Sequence, residues 1–142
     1  MKAPNIVVDT NVLVAGLRSN RGASFQLLSH IGTGKFDIRL SVPLLLEYEE
    51  VLLREPHHFG LSKEAIDDVV NYLCSVAGKN EIFYLWRPYL PDPSDDMVLE
   101  LAANAGCEFI VTYNVKDFTN IEQFGVCAIE PFPFLKHLGI LT

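Results

Sequence analysis

Residues 5–18 read NIVVDTNVLVAGLR. The β-branched run NIVV ends in an acid, the pattern of a short buried strand. From Thr10 the apolar spacing becomes that of a helix, so Asp9 stands between a strand end and a helix start. The same change of period recurs downstream. ASFQLLSHIGTGK, after Gly22, reads as a short helix stopped by Gly32 and Gly34. FDIRLSV reads as a second strand, and Pro43 starts the helix LLLEYEEVLLRE, which ends before Pro56. LSKEAIDDVVNYLCSVAG reads as a helix capped by Ser62 and closed by Gly78. EIFYLW (81–86) reads as a strand, RPYLPDP as a turn-rich crossing and SDDMVLELAANAG as a helix with an acidic start. EFIVT is a strand, NVKDF a loop, VCAIE the last strand and FPFLKHLGI a short closing helix. Strands alternating with helices predict an α/β fold with a mainly parallel sheet covered on both faces. In such sheets ligands bind beyond the carboxyl ends of the strands, at a topological switch point.

The 142 residues contain no repeat and no linker, which fits one domain over 1–142. Apolar residues make up 49%, too many for a disordered chain. No apolar run reaches the ~20 residues that span a bilayer, and MKAPNIVVD lacks the shape of a signal peptide. The expected location is the cytoplasm, away from any membrane. Cys74, Cys107 and Cys127 are far apart and form no CxxC pair, which reads as reduced core thiols. A net charge of −7 excludes a protein that coats nucleic acid with a basic face. It leaves room for an enzyme that gathers acids at a metal site and keeps a few cations at its rim.

Four acids fall where the switch-point rule points. Asp9 ends the first strand, Asp95 stands with Asp96 at a helix start, and Asp117 follows the EFIVT strand. Glu47 lies one turn into its helix, within reach of the same edge. Any one of them alone reads most simply as a helix cap worth about 0.3–1 kcal/mol. Together they are harder to explain. Two carboxylates ~4 Å apart repel by ~4 kcal/mol at an effective dielectric of 20. Converging acids therefore call for a cation or for protons. Hard ions such as Mg²⁺ or Mn²⁺ want oxygen ligands. His57 and His58 have no partners at zinc-ligand spacing. Such an ion acidifies a water and neutralises a phosphate. Glu47 is then a candidate to orient that water or take its proton.

The motifs resemble those of the PIN-domain family. VVDTNVLVAGL is similar to that family's opening block, and SVPLLLEYEEVL to its second, which carries Glu47. DPSDDMVLELAANAGCEFIVT resembles the third, a helix-capping acid followed by a strand ending in Thr112. YNVKDF resembles the fourth. The resemblance is nearest to the VapC-like toxins of prokaryotic toxin–antitoxin pairs. It implies a Rossmann-like, three-layer α/β/α sandwich and cleavage of RNA with Mg²⁺ or Mn²⁺. It further implies a homodimer and a small antitoxin protein as partner. Carried over by position, it assigns Asp9, Glu47 and Asp95 to the acidic site, with Thr10 and Asn11 supporting Asp9. Asp96 stands beside Asp95. Where many members have a fourth acid this chain has Asn114, and Asp117 lies three residues further on, so either can fill that position.

Two other readings compete. A phosphatase of the haloacid-dehalogenase type also starts from an aspartate at the first strand's end. It needs Asp-x-Asp, and the third residue here is Asn11. A catalytically degenerate PIN fold serving as a binding module is supported by Asn114. Arg18, Arg21 and Lys116 are expected near the site edge, where they can touch RNA phosphates.

Overall fold

The structure is a computed structural model that describes residues 3–54, 56–79 and 89–141. Five strands form one parallel sheet: β1 (Asn5–Val8), β2 (Asp37–Leu40), β3 (Gly78–Lys79), β4 (Phe109–Val111) and β5 (Cys127–Ile129), in the order β3-β2-β1-β4-β5. The helices are α1 (Thr10–Arg18), α2 (Ala23–Ser29), α3 (Val42–Arg54), α4 (Lys63–Val76), α5 (Pro93–Asn104) and α6 (Pro131–His137). The predicted α/β architecture is thus the one observed. The expected strand over 81–86 lies outside the described residues, as does part of the crossing that follows it.

The chain runs outward from β1 through β2 to β3, then returns across the sheet to β4 and β5. The switch point therefore lies between β1 and β4. Ile6 pairs with Phe109 and Val8 with Val111. The ladder continues one step, because Asp9 N donates to Val111 O at 2.9 Å and Thr112 N to Ile129 O at 2.9 Å. Right-handed crossovers put α1 and α3 on one face and α5 on the other. α5 lies against β1, β4 and β2, while α1 packs on both α2 and α3.

Periodicity explains which faces are buried. α4 buries Ile66, Val70 and Leu73, and α3 buries Leu44, Tyr48 and Leu52. Each fully buried leucine contributes roughly 1.5–3 kcal/mol. α1 and α2 approach so closely at Gly16 that an added Cβ would meet Leu28 Cδ1 at 2.4 Å. Ser62 caps α4 as expected, its hydroxyl accepting from Ala65 N. Gly78 does not close that helix, however. Ala77 is the extended C-cap, and Gly78 opens β3 beneath Arg39, whose Nη1 stands 2.3 Å from where a Cβ would sit. PHHF forms a 3-10 turn over Pro56–Phe59, and the NVKDF segment another over Val115–Asp117. Of the cysteines, only Cys107 is a core thiol, and burial pushes it up to about 12. Cys74 is half-buried and Cys127 exposed. No helix among the described residues is long and apolar enough to cross a membrane.

Candidate active site

The candidate site is built where β1 and β4 end side by side. Asp9 is the N-cap of α1 and is only 7% exposed. Thr10 N donates to its Oδ1 at 2.9 Å, and Thr112 Oγ1 donates to its Oδ2 at 2.8 Å. Asn11 closes the network. Its amide reaches Asp9 Oδ2 and Thr112 Oγ1, both at 3.4 Å, and its Oδ1 accepts from Tyr113 N at 3.1 Å. Asn11 therefore braces the two strand ends and has no position from which to act as a general acid. Asn114 N donates to Thr112 Oγ1 at 3.0 Å, while the Asn114 residue itself is exposed.

Glu47 enters from α3. Thr10 Oγ1 donates to Glu47 Oε2, which ties the first turn of α1 to the second turn of α3. The neighbouring Tyr48 is fully enclosed and donates its hydroxyl to Val8 O, fixing α3 on the last residue of β1. Burial, and after it the Asp9 and Glu47 carboxylates, holds the Tyr48 phenol far above its ordinary range. Tyr48 therefore stays protonated and serves as a strut.

Asp95 is not the cap of its helix. Asp92 takes that place, accepting from Ser94 N at 2.9 Å, so the Asp95 carboxylate is not engaged as the cap. Asp95 feels the other acids strongly. Burial first, then the Asp9, Asp92, Asp117 and Glu47 carboxylates, pushes it up to about 7. Asp9 is raised as well, mainly by burial and further by Glu47 and Asp117, against the hydrogen bonds from Thr112 and Thr10. The four acids thus share one electrostatic neighbourhood. Asp117 belongs to it although it ends a 3-10 turn whose N-cap is Asn114.

Asp96 does not join them. It is 3% exposed, and its two oxygens accept from Leu90 N at 2.8 Å and Tyr89 N at 3.3 Å. Next to Asp95 in sequence, it points elsewhere because successive helical residues diverge by about 100°. Asp96→Ala is expected to leave these donors unpaired, at a cost of about 2–4 kcal/mol. Chemical denaturation checks this, and an unchanged midpoint would remove the structural role.

The cations are not all where the sequence suggested. Lys116 adjoins Asp117 and is exposed. Arg18 ends α1, which carries it about 13 Å along the helix axis from Asp9, and Arg21 follows beyond the extended C-cap Ser19. Sequence reasoning also passed over Tyr113, 42% exposed directly after Thr112, with its hydroxyl bonded to the buried Ser24. The signal available was its place next to a strand-ending threonine. Beside Glu47 an open cleft of about 440 Å³ runs between α3 and α5, lined by Leu46, Pro93 and Met97 among others.

All the donors in the cluster are oxygens, which suits a hard divalent cation. Among the described residues, no three of the Asp, Glu, His and Cys side chains stand ready to hold one ion between them. This still suits Mg²⁺, which keeps several waters and binds through one or two carboxylates.

No curated protein matches the sequence. Among solved structures, one similar chain is from VapBC2 of Rickettsia felis bound to a DNA fragment from their promoter. It is 13% identical with a TM-score of 0.60, covering 89% of this chain and 99% of the other. A second is from VapBC-1 of nontypeable Haemophilus influenzae, 14% identical with a TM-score of 0.56, covering 90% and 98%. At such identities the likeness establishes the fold alone. The PIN-domain family model, by contrast, matches residues 5–116, a span that runs from β1 to the turn before Asp117 and holds Asp9, Glu47 and Asp95. The chain belongs to the PIN-domain family.

Proposed function

We propose that the protein is a Mg²⁺- or Mn²⁺-dependent endoribonuclease, the toxin of a toxin–antitoxin pair. The observation that carries this reading is that Asp9 and Asp95 are both raised, first by burial and then by neighbouring carboxylates, Glu47 and Asp117 acting on each and Asp9 on Asp95. Such a cluster disfavours its own ionisation and is relieved by a dication. Asp9 and Asp95 would hold the ion, with Asp117 reaching it directly or through its waters. When bound, the ion supplies positive charge for the scissile phosphate and makes a neighbouring water more acidic. Glu47, held at Oε2 by Thr10, keeps Oε1 to orient the attacking water and receive its proton. Water oxygen attacks phosphorus as its proton passes to Glu47, and the bond to the opposite oxygen breaks, that oxygen leaving as a hydroxyl with a proton from solvent water. Thr112 and Asn11 keep Asp9 in one orientation throughout. The phosphatase reading loses its general acid because Asn11 is committed to both strand ends.

The VapBC likeness supports a small antitoxin that covers the acidic groove; a homodimer as the free form is the expectation from the family resemblance alone. Co-expression with the adjacent gene product tests the first, and light scattering the second. The nuclease reading is tested with purified protein and RNA in Mn²⁺ and in EDTA. Cleavage that is equal in both would overturn it.

Asp117 supplies the fourth charge. Asp117→Asn is expected to lower activity at least tenfold, about 1.4 kcal/mol in the barrier, with the melting temperature in EDTA unchanged or raised. Unaltered kinetics with a lower melting temperature would make Asp117 a structural residue.

A further inference from the structure

α1 and α3 run side by side away from the acids in a fixed register. Thr10 meets Glu47 through a hydrogen bond at the top of the seam. One turn down, Val14 and Val51 line the same pocket, and at its foot stand Arg18 and Arg54. His58 and Phe59, from the 3-10 turn after α3, complete a hollow of about 170 Å³. The spacing 10, 14, 18 on one helix and 47, 51, 54 on the other keeps these residues on facing sides. The pocket thus lies about 12 Å from the site, eight residues at 1.5 Å each.

We propose that this pocket binds a backbone phosphate of the RNA strand, a few nucleotides from the bond that is cut. Two guanidinium groups and an imidazole gather here in a chain of net charge −7 with only 11 lysines and arginines. A polyanion approaching an acidic surface needs its cations concentrated where the strand passes. Arg18 is already oriented, its guanidinium carbon 5.9 Å from the centre of the Phe59 ring. Arg54 is held by Glu50 at 3.3 Å in an exposed pair, of the kind that contributes little to stability and yields readily to a phosphate, which takes a guanidinium in a bidentate grip. Glu50 offsets one positive charge, and the pocket stays cationic. At the ~3.4 Å per nucleotide of a stacked strand, the distance to the acids is three or four nucleotides. The inference takes its ligand from the RNA-cleaving reading, although the pocket's cations stand independently of it.

The test is fluorescence anisotropy of a labelled single-stranded RNA of about ten nucleotides, titrated in EDTA so that nothing is cut. Arg18→Gln with Arg54→Gln is expected to weaken binding about tenfold and lower the salt slope by about 0.7, one phosphate's share. The double lysine variant retains most of the affinity, and Lys136→Gln, on α6 and outside the pocket, changes it less than about twofold. Glu50→Gln, which frees Arg54, tightens binding by about two- to threefold. Equal losses in the Lys136 variant, or no loss in the double glutamine variant, overturn the pocket even if wild type cleaves RNA in Mn²⁺. Absence of cleavage with the pocket losses intact overturns the nuclease and leaves the pocket standing.

Discussion

Asp9→Asn is expected to reduce RNA cleavage by roughly a thousandfold or more, about 4 kcal/mol in the barrier, without unfolding the protein. The substitution removes the charge at the meeting point of β1, α1 and Thr112 and keeps the shape. Asparagine can still accept from Thr10 N through its carbonyl oxygen, while the Thr112 hydroxyl, which already accepts from Asn114 N and Asn11 Nδ2, gives up its bond to Oδ2. The residue is buried beside Glu47 and Asp117, both of which oppose its ionisation. Neutralising it therefore leaves the melting temperature in EDTA equal to wild type or higher. The stabilisation by Mn²⁺ shrinks at the same time, because one of the few anionic ligands is gone. Two readouts that move in opposite directions separate a metal ligand from a plain helix cap. A cap lost at this position would lower the melting temperature by itself. Full cleavage by the variant would end the mechanism.

The second large effect is in pH. Asp9 and Asp95 are both raised above the carboxylate range that they have in the unfolded chain, Asp95 to about 7. The folded protein then binds more protons than the unfolded one between pH ~4 and ~7, so stability falls as pH rises through that window. In EDTA the protein is expected to melt lower at pH 8 than at pH 5.5, by at least about 3 °C for each 1 kcal/mol lost. Asp95 is half-open to solvent, which screens the effect and keeps it well below the full linkage value. Mn²⁺ acts on the other side of the balance. On the proposed reading it is expected to bind the ionised carboxylates in competition with protons, so that its affinity climbs up to about pH 7 and then levels. With saturating Mn²⁺ the fall in melting temperature toward pH 8 should vanish or reverse. Differential scanning calorimetry at both pH values, with and without metal, checks all four conditions. A metal-free protein that melts higher at pH 8 would show that the acids do not repel one another.

Both predictions rest on acids that could be picked out before any coordinates. Asp9, Glu47, Asp95 and Asp117 stand out because strand and helix periods are local, and an acid at a change of period is visible within a few residues. Locality also has limits. The capping alternative for Asp95 could not be dismissed from sequence, since Asp92, Asp95 and Asp96 compete within one turn. Only the coordinates assign the cap to Asp92 and send Asp96 to the backbone of Tyr89 and Leu90. The same holds for Gly78, a natural helix stop by composition, which the packing of Arg39 places in a strand instead.

The sequence by itself determined the alternation of strands and helices, the turn from β1 into α1 at Asp9, and the identity of the acids, all set by short-range burial period and capping chemistry. The tertiary structure alone decided that β1 lies beside β4. That pairing brings Asp9 to Thr112 across 103 residues, and no local pattern encodes it, because it follows from how the strands and helices share one core. It likewise decided that Arg18 leaves the acids and meets Arg54. The two arginines are 36 positions apart, and they converge because α1 and α3 both start at the same sheet edge and pack in parallel.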